Sequence, residues 1–132
     1  MLHILSAPDH VGAYRLEGVL TEEDYDRVIA DIEARLNRFD RVGIVADLAG
    51  FRDITVRAGV KDLRYSFGKI LEIRRFPREA LIADKHWIKT VAELANPVIP
   101  FVEIRTFQPG ETEAAIMWAA DFEPGRRPHA GA

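Results

Sequence analysis

Seven consecutive residues, Val42-Gly43-Ile44-Val45-Ala46-Asp47-Leu48, are apolar on both parities and carry a single charge, at Asp47. A strand with one wet face alternates between apolar and polar side chains. A strand that does not alternate must be covered on both sides, as a central strand of a parallel sheet is. Ala80-Leu81-Ile82-Ala83 repeats the pattern. Parallel neighbours need crossover connections of a dozen residues or more, usually helices, so these two runs demand an α/β arrangement.

The intervening segments supply the helices. Thr21 places a hydroxyl at a helix N-cap and Asp24 a carboxylate three residues on, with Glu22 and Glu23 adding negative charge at the positive end of the helix dipole. Tyr25, Val28, Ile29, Ile32 and Leu36 follow at helical spacing, and the helix should end near Asn37-Arg38. Val56, Val60, Leu63, Phe67, Ile70 and Leu71 mark a long amphipathic helix with Arg57, Lys61 and Arg64 on its polar side. Asp84 can cap a further helix through Trp87, Ile88, Val91 and Leu94, stopped by Asn96-Pro97.

The flanks complete the pattern. Residues 2–7 and 12–18 read as two strands joined by the turn Pro8-Asp9-His10, the second alternating Tyr14 and Leu16 against Arg15 and Glu17. Residues 101–107 alternate strictly, and Pro109-Gly110 then leads into a last helix containing Ala114, Ala115, Ile116, Met117 and Trp118. The order is ββαβαβαβα: a mostly parallel five-stranded sheet with an antiparallel first edge strand and about four helices. At 132 residues this is one domain, spanning 1–122, with residues 123–132 as a flexible C-terminal tail.

Composition excludes several functions. There is no cysteine, hence no disulfide scaffold, thiolate metal site or thiol nucleophile. A formal charge of −3 argues against nucleic-acid binding. Residues 94–102 form an uncharged apolar run of nine with two prolines after Glu93, too short to span a bilayer, and the N-terminus has no signal-peptide pattern. A cytoplasmic location follows as an expectation. Neither G-x-G-x-x-G nor a P-loop occurs. His3, His10, His86 and His129 fall in separate elements, and Ser6 and Ser66 sit in no nucleophile elbow. No cofactor or metal is expected.

Candidate site residues come from geometry. Ligands of open parallel sheets bind beyond the carboxyl ends of the strands, where Asp47 and Asp84 fall. They read either as an acid/base pair or as local anchors, Asp84 capping a helix and Asp47 bonding its own loop. The loop over residues 49–55 brings Phe51 and the helix start at Asp53-Ile54-Thr55 to the same end. Tyr65 and Trp87, on the two middle helices, would line a groove or a lipid interface beside Arg57, Lys61 and Arg64.

Gly18-Val19-Leu20-Thr21-Glu22-Glu23-Asp24-Tyr25 resembles the G-x-L-T-x-x-D-Y opening of the SpoIIAA-like proteins of the STAS/SEC14-related group. Asp62-Leu63-Arg64-Tyr65-Ser66-Phe67, the stretch from Ala80 to Trp87, and Glu103-Ile104-Arg105-Thr106-Phe107 with Glu113-Ala114 and Trp118 agree with later family segments, in order and at the expected spacing. The resemblance implies a STAS-type fold, a non-catalytic role and a homodimer. The SEC14 side implies a small apolar or lipid-like ligand and peripheral membrane contact, and the residues placed by geometry to hold such a ligand are Asp47, Phe51, Tyr65 and Trp87. The alternative is a protein-interaction regulator of the anti-sigma-factor-antagonist type, acting through Asp53 and Thr55. There Ile54 stands roughly where the family's phosphoacceptor serine falls, so the phosphorylation site is degenerate. An enzyme using Asp47 and Asp84 ranks third.

Overall fold

The computed structural model describes residues 1–54, 75–84 and 103–126. Strands β1 (Leu2–Ile4), β2 (Val11–Leu16) and β3 (Gly18–Leu20) precede helix α1 (Glu22–Leu36). Then come β4 (Gly43–Asp47), β5 (Phe51–Ile54), β6 (Arg78–Ile82), β7 (Glu103–Phe107) and helix α2 (Thr112–Ala120). The main sheet has the order β1-β2-β4-β6-β7. Its first pair is antiparallel and the rest are parallel, as the pattern of apolar runs predicts. The helices expected over residues 56–71 and 84–94 lie outside the described residues.

The α1 boundaries follow from local chemistry. The Asp24 amide donates to Thr21 Oγ1 at 3.1 Å and the Thr21 amide donates back to Asp24 Oδ2 at 3.2 Å, closing the capping box. Asn37 caps the other end, with Arg35 in the last turn.

Strand parity divides the core into two layers. Val11, Ala13, Val45, Ala80, Ile82 and Phe107 pack on one face against Ala115 and Ala119 of α2. Tyr14 and Leu2 lie on the other with Ile32 and Leu36 of α1, extended by Phe39 and Val42. Sequential strand order and right-handed crossovers commit a connecting helix such as α1 to one face. Helix α2 follows the last strand of the sheet, so no crossover rule binds it, and it covers the opposite face. Tyr14 ties the layers together. Its hydroxyl donates to Asp31 of α1 at 2.5 Å, and Arg35 holds the same carboxylate at 2.8 Å. Burial, then the bond to Asp31, pushes the Tyr14 phenol far above its usual range, so it stays protonated as a donor.

Three expectations need correction. Residues 12–18 are not one strand: β2 ends at Leu16, and Gly18, at φ 69°, turns the chain into β3. The segment from Asp53 is not a helix start, because residues 51–54 form β5, which pairs in parallel with β3 as a separate two-stranded sheet. The wet face expected for β2 is confined to its last two residues; residues 11–14 are buried because α1 and α2 cover both sides. Three- and four-residue strands show too few periods to be read from alternation.

Beyond α2 the chain returns to the domain. The Asp40 amide donates to the Gly125 carbonyl at 2.8 Å, the Arg41 amide to that of Pro124 at 3.0 Å, and Phe39 bridges Arg126. Residues 127–132 lie outside the described residues. Among the described residues no helix is long and apolar enough to cross a membrane.

A Cβ on Gly43 would stand 2.2 Å from the carbonyl oxygen of Ala119, a backbone atom that cannot swing aside. Gly43→Ala is expected to cost about 2 kcal/mol, read as a melting midpoint lower by roughly 6–10 °C. Glu79 on β6 stands in register between Ile44 and Ile104, and desolvation raises its carboxyl pKa. A folded pKa above the unfolded one means that ionisation penalises the fold. The stability of the protonated form is complete below the ordinary Glu range and lost as pH rises through the raised value. Glu79→Gln should therefore raise the melting midpoint at pH 7.5 and leave it unchanged near pH 4.

Candidate functional site

The sheet order contains no reversal, so its topology opens no crevice between diverging crossovers. A groove at the carboxyl end of the strands is built by turns instead. Register places Arg15, near the end of β2, beside Asp47, the last residue of β4. Both share the parity of Ala13 and Val45 and so project toward the α2 layer. Arg15 Nε donates to Asp47 Oδ2 at 3.0 Å, while Asp47 Oδ1 accepts the Ala49 amide at 3.1 Å. Asp47 is only 6% exposed, so both oxygens are committed in a nearly dry position. The Arg15 side chain is more than one-third exposed.

Three turns wall the groove, whose volume is about 570 Å³. Glu17 and Gly18 come from the β2–β3 joint, Ala49 and Gly50 from the β4–β5 turn, and Pro109 and Gly110 from the β7–α2 turn. The Gly18 amide donates to the Gly50 carbonyl at 2.8 Å, joining the first two walls. Gly110, at φ 93°, permits the tight entry to α2, where the Gln108 amide bonds Glu111 Oε1 at 2.7 Å. Among the described residues no cluster of three or more His, Cys, Asp or Glu side chains could hold a metal ion.

Of the residues singled out from sequence, Asp47 lines this groove. Phe51 does not; it packs against Leu20 and Tyr25 in a small cluster beneath β3 and β5. Asp53 lies in β5, opposite Val19 in register. Thr55, Tyr65 and Trp87 lie outside the described residues. Asp84 follows β6 by two residues, and the partner that Asp47 takes is Arg15. Sequence reasoning passed over Arg15 as a solvated strand residue. Its signal was available in parity, since Ala13 and Arg15 share one side of β2 and Val45 and Asp47 one side of β4.

A SpoIIAA-like family model matches residues 11–120 of the chain. Among curated proteins no sequence match is found. The crystal structure of an uncharacterized protein from Shewanella loihica PV-4 with a SpoIIAA-like fold superposes with a TM-score of 0.66 at 22% identity, covering 91% of this chain and 93% of that one. The anti-sigma factor antagonist SpoIIAA in its unphosphorylated form superposes with a TM-score of 0.55 at 12% identity, covering 91% and 99%. At these identities the likeness is one of fold.

The Arg15–Asp47 pair should behave as one coupled unit. Removing either partner strands the other, whereas replacing both removes the uncompensated charge. In a double-mutant cycle with Arg15→Met and Asp47→Leu, unfolded in urea, a coupling of about 1–2 kcal/mol is expected.

Proposed function

The chain belongs to the SpoIIAA-like family, and from that premise we propose that it is a non-enzymatic binding module that recognises its partner at the carboxyl end of its sheet. The observation that carries this reading is the Arg15–Asp47 pair on the groove. Well-packed apolar residues often serve stability as well as a buried ion pair does, so stability alone does not account for this one. A partly exposed arginine side chain held by its Nε to a buried carboxylate at the mouth of an open groove accounts for it as a recognition element.

This shifts emphasis between the two roles that the family resemblance implies. Phe51, expected to line an apolar pocket, packs against Leu20 and Tyr25, and the groove around Asp47 carries the charged side chains Arg15, Glu17 and Asp47 among its described lining. The geometry therefore favours the interaction-regulator reading over the apolar or lipid-like ligand. The β5 strand, which carries Asp53, leaves directly from the Gly50 wall of the groove. A partner seated there would contact the segment leading to Thr55.

A homodimer is a second part of the proposal, with its own supporting observation. The outer face of α2 presents Met117 at 73% exposure beside half-buried Ile116 and Trp118, around an apolar depression of about 550 Å³. Exposed apolar helix faces of this kind serve association.

Native mass spectrometry of gently purified protein, alongside affinity capture and vesicle flotation, tests both parts. A bound species lost in Ala49→Trp, which fills the groove, supports the first. Equal retention by that variant, or binding only to vesicles, sinks it. A dimer mass that falls to monomer in Met117→Glu supports the second.

A further inference from the structure

We propose that the carboxyl-end groove is a carboxylate-binding site, in which the outer edge of the Arg15 guanidinium grips the ligand's carboxylate through two parallel hydrogen bonds while Asp47 holds the guanidinium in place. This deepens the reading of the groove as the recognition surface and rests on it.

The argument begins with what Arg15 leaves unused. Its contact with Asp47 runs through Nε, and among the described residues neither Nη nitrogen has an acceptor. A guanidinium carries five N–H donors in a rigid plane. Engaging it from the Nε side leaves the Nη1–Nη2 edge free, and the spacing of that edge matches the two oxygens of a carboxylate. Asp47 does not compete for this edge. Its second oxygen is taken by the Ala49 amide, and burial fixes it where it is.

The walls permit close approach. Gly18 and Gly110, both at positive φ, have open space where a side chain would begin. The ligand can therefore reach Arg15 past backbone alone on those two sides.

Charge selects the ligand class. Among the described residues the groove is lined by one cation, Arg15, and two carboxylates, Asp47 and Glu17. A phosphate dianion would meet both acids with a single cation to offset it. A carboxylate brings one negative charge and a planar fork. An ammonium group would meet the guanidinium at the mouth and find both Asp47 oxygens already bonded, to Arg15 and to the Ala49 amide. A carboxylate is the group that these three side chains accommodate, whether it comes from a chain terminus, an acidic side chain or a small free acid.

The test is a titration of the full ¹⁵N-labelled chain, followed by NMR at constant ionic strength. The probes are acetate, inorganic phosphate, trialanine with a free C-terminus, its C-terminal amide, and N-acetyl-Ala-Glu-Ala-amide. Saturable shifts at Arg15 Nε, Ala49 and Gly50 are expected with acetate and at least one carboxylate-bearing peptide, but not with the trialanine amide. The two carboxylate peptides separate a main-chain terminus from an acidic side chain, and response to acetate alone identifies a small free acid. Arg15→Lys keeps a cation beside Asp47 but loses the fork, so affinity should fall by about tenfold or more. Arg15→Gln should abolish the response with its melting curve still cooperative.

Equal binding of phosphate and acetate, a response to the trialanine amide, unchanged affinity in Arg15→Lys, or no saturable shift with any probe overturns the carboxylate assignment. The broader reading fails separately, when species co-purifying with the protein are retained by Ala49→Trp. If they are lost in Ala49→Trp yet kept by Arg15→Gln, the groove stands and the carboxylate assignment alone falls.

Discussion

Strand β4 sits in the middle of the sheet, with Val45 fully buried on the α2 side and Ile44 and Ala46 half-buried on the other, so both its faces call for cover. This requirement organises the rest of the described structure. Burial of a side chain of that size is worth roughly 1.5–3 kcal/mol, but only when something covers it. Helix α1 and the segment leading out of it cover one side and α2 the other. The close approach of α2 follows from its small contact residues. Ala115 and Ala119, one turn apart, let its backbone come down onto the sheet until the Ala119 carbonyl leaves room only for a glycine at position 43.

The same layering makes the candidate site. Parity that sends Val11, Ala13 and Val45 into the α2 layer also sends Arg15 and Asp47 there, at the end where that layer gives way to turns. Because parallel strands β2 and β4 are in register at this point, the two charged groups meet at the edge of the core. The core thus ends in an ion pair that has one side in protein and one side in the groove. It joins a buried carboxylate with both oxygens engaged to a guanidinium whose outer edge has no acceptor among the described residues.

Much of the fold was legible in the chain. The capping box at Thr21 and Asp24, the unalternating runs around Val45 and Ala80, and the alternating run into Phe107 each carry enough residues to distinguish a period of 3.6 from one of 2, although the residue of β7 that is buried is Phe107, on the parity of Glu103 and Arg105. Less of the site was legible. The position of Asp47 at a strand end was legible because it follows from strand direction alone. Arg15 was missed because its role depends on a partner 32 residues away, and Phe51 was misplaced because nothing local announces the β3–β5 pairing that carries it into a core cluster.

The sequence by itself determined the class of fold, the order of its main elements, the ends of α1 and the antiparallel first strand. Each is set by interactions within one helical turn, one strand period or one short connection. Tertiary structure alone decided that α2 closes the second face, that Gly18 redirects the chain into a second small sheet, and that Arg15 meets Asp47 over a groove. Those outcomes depend on register and close approach between segments far apart in the chain, and they exist only once the sheet has assembled.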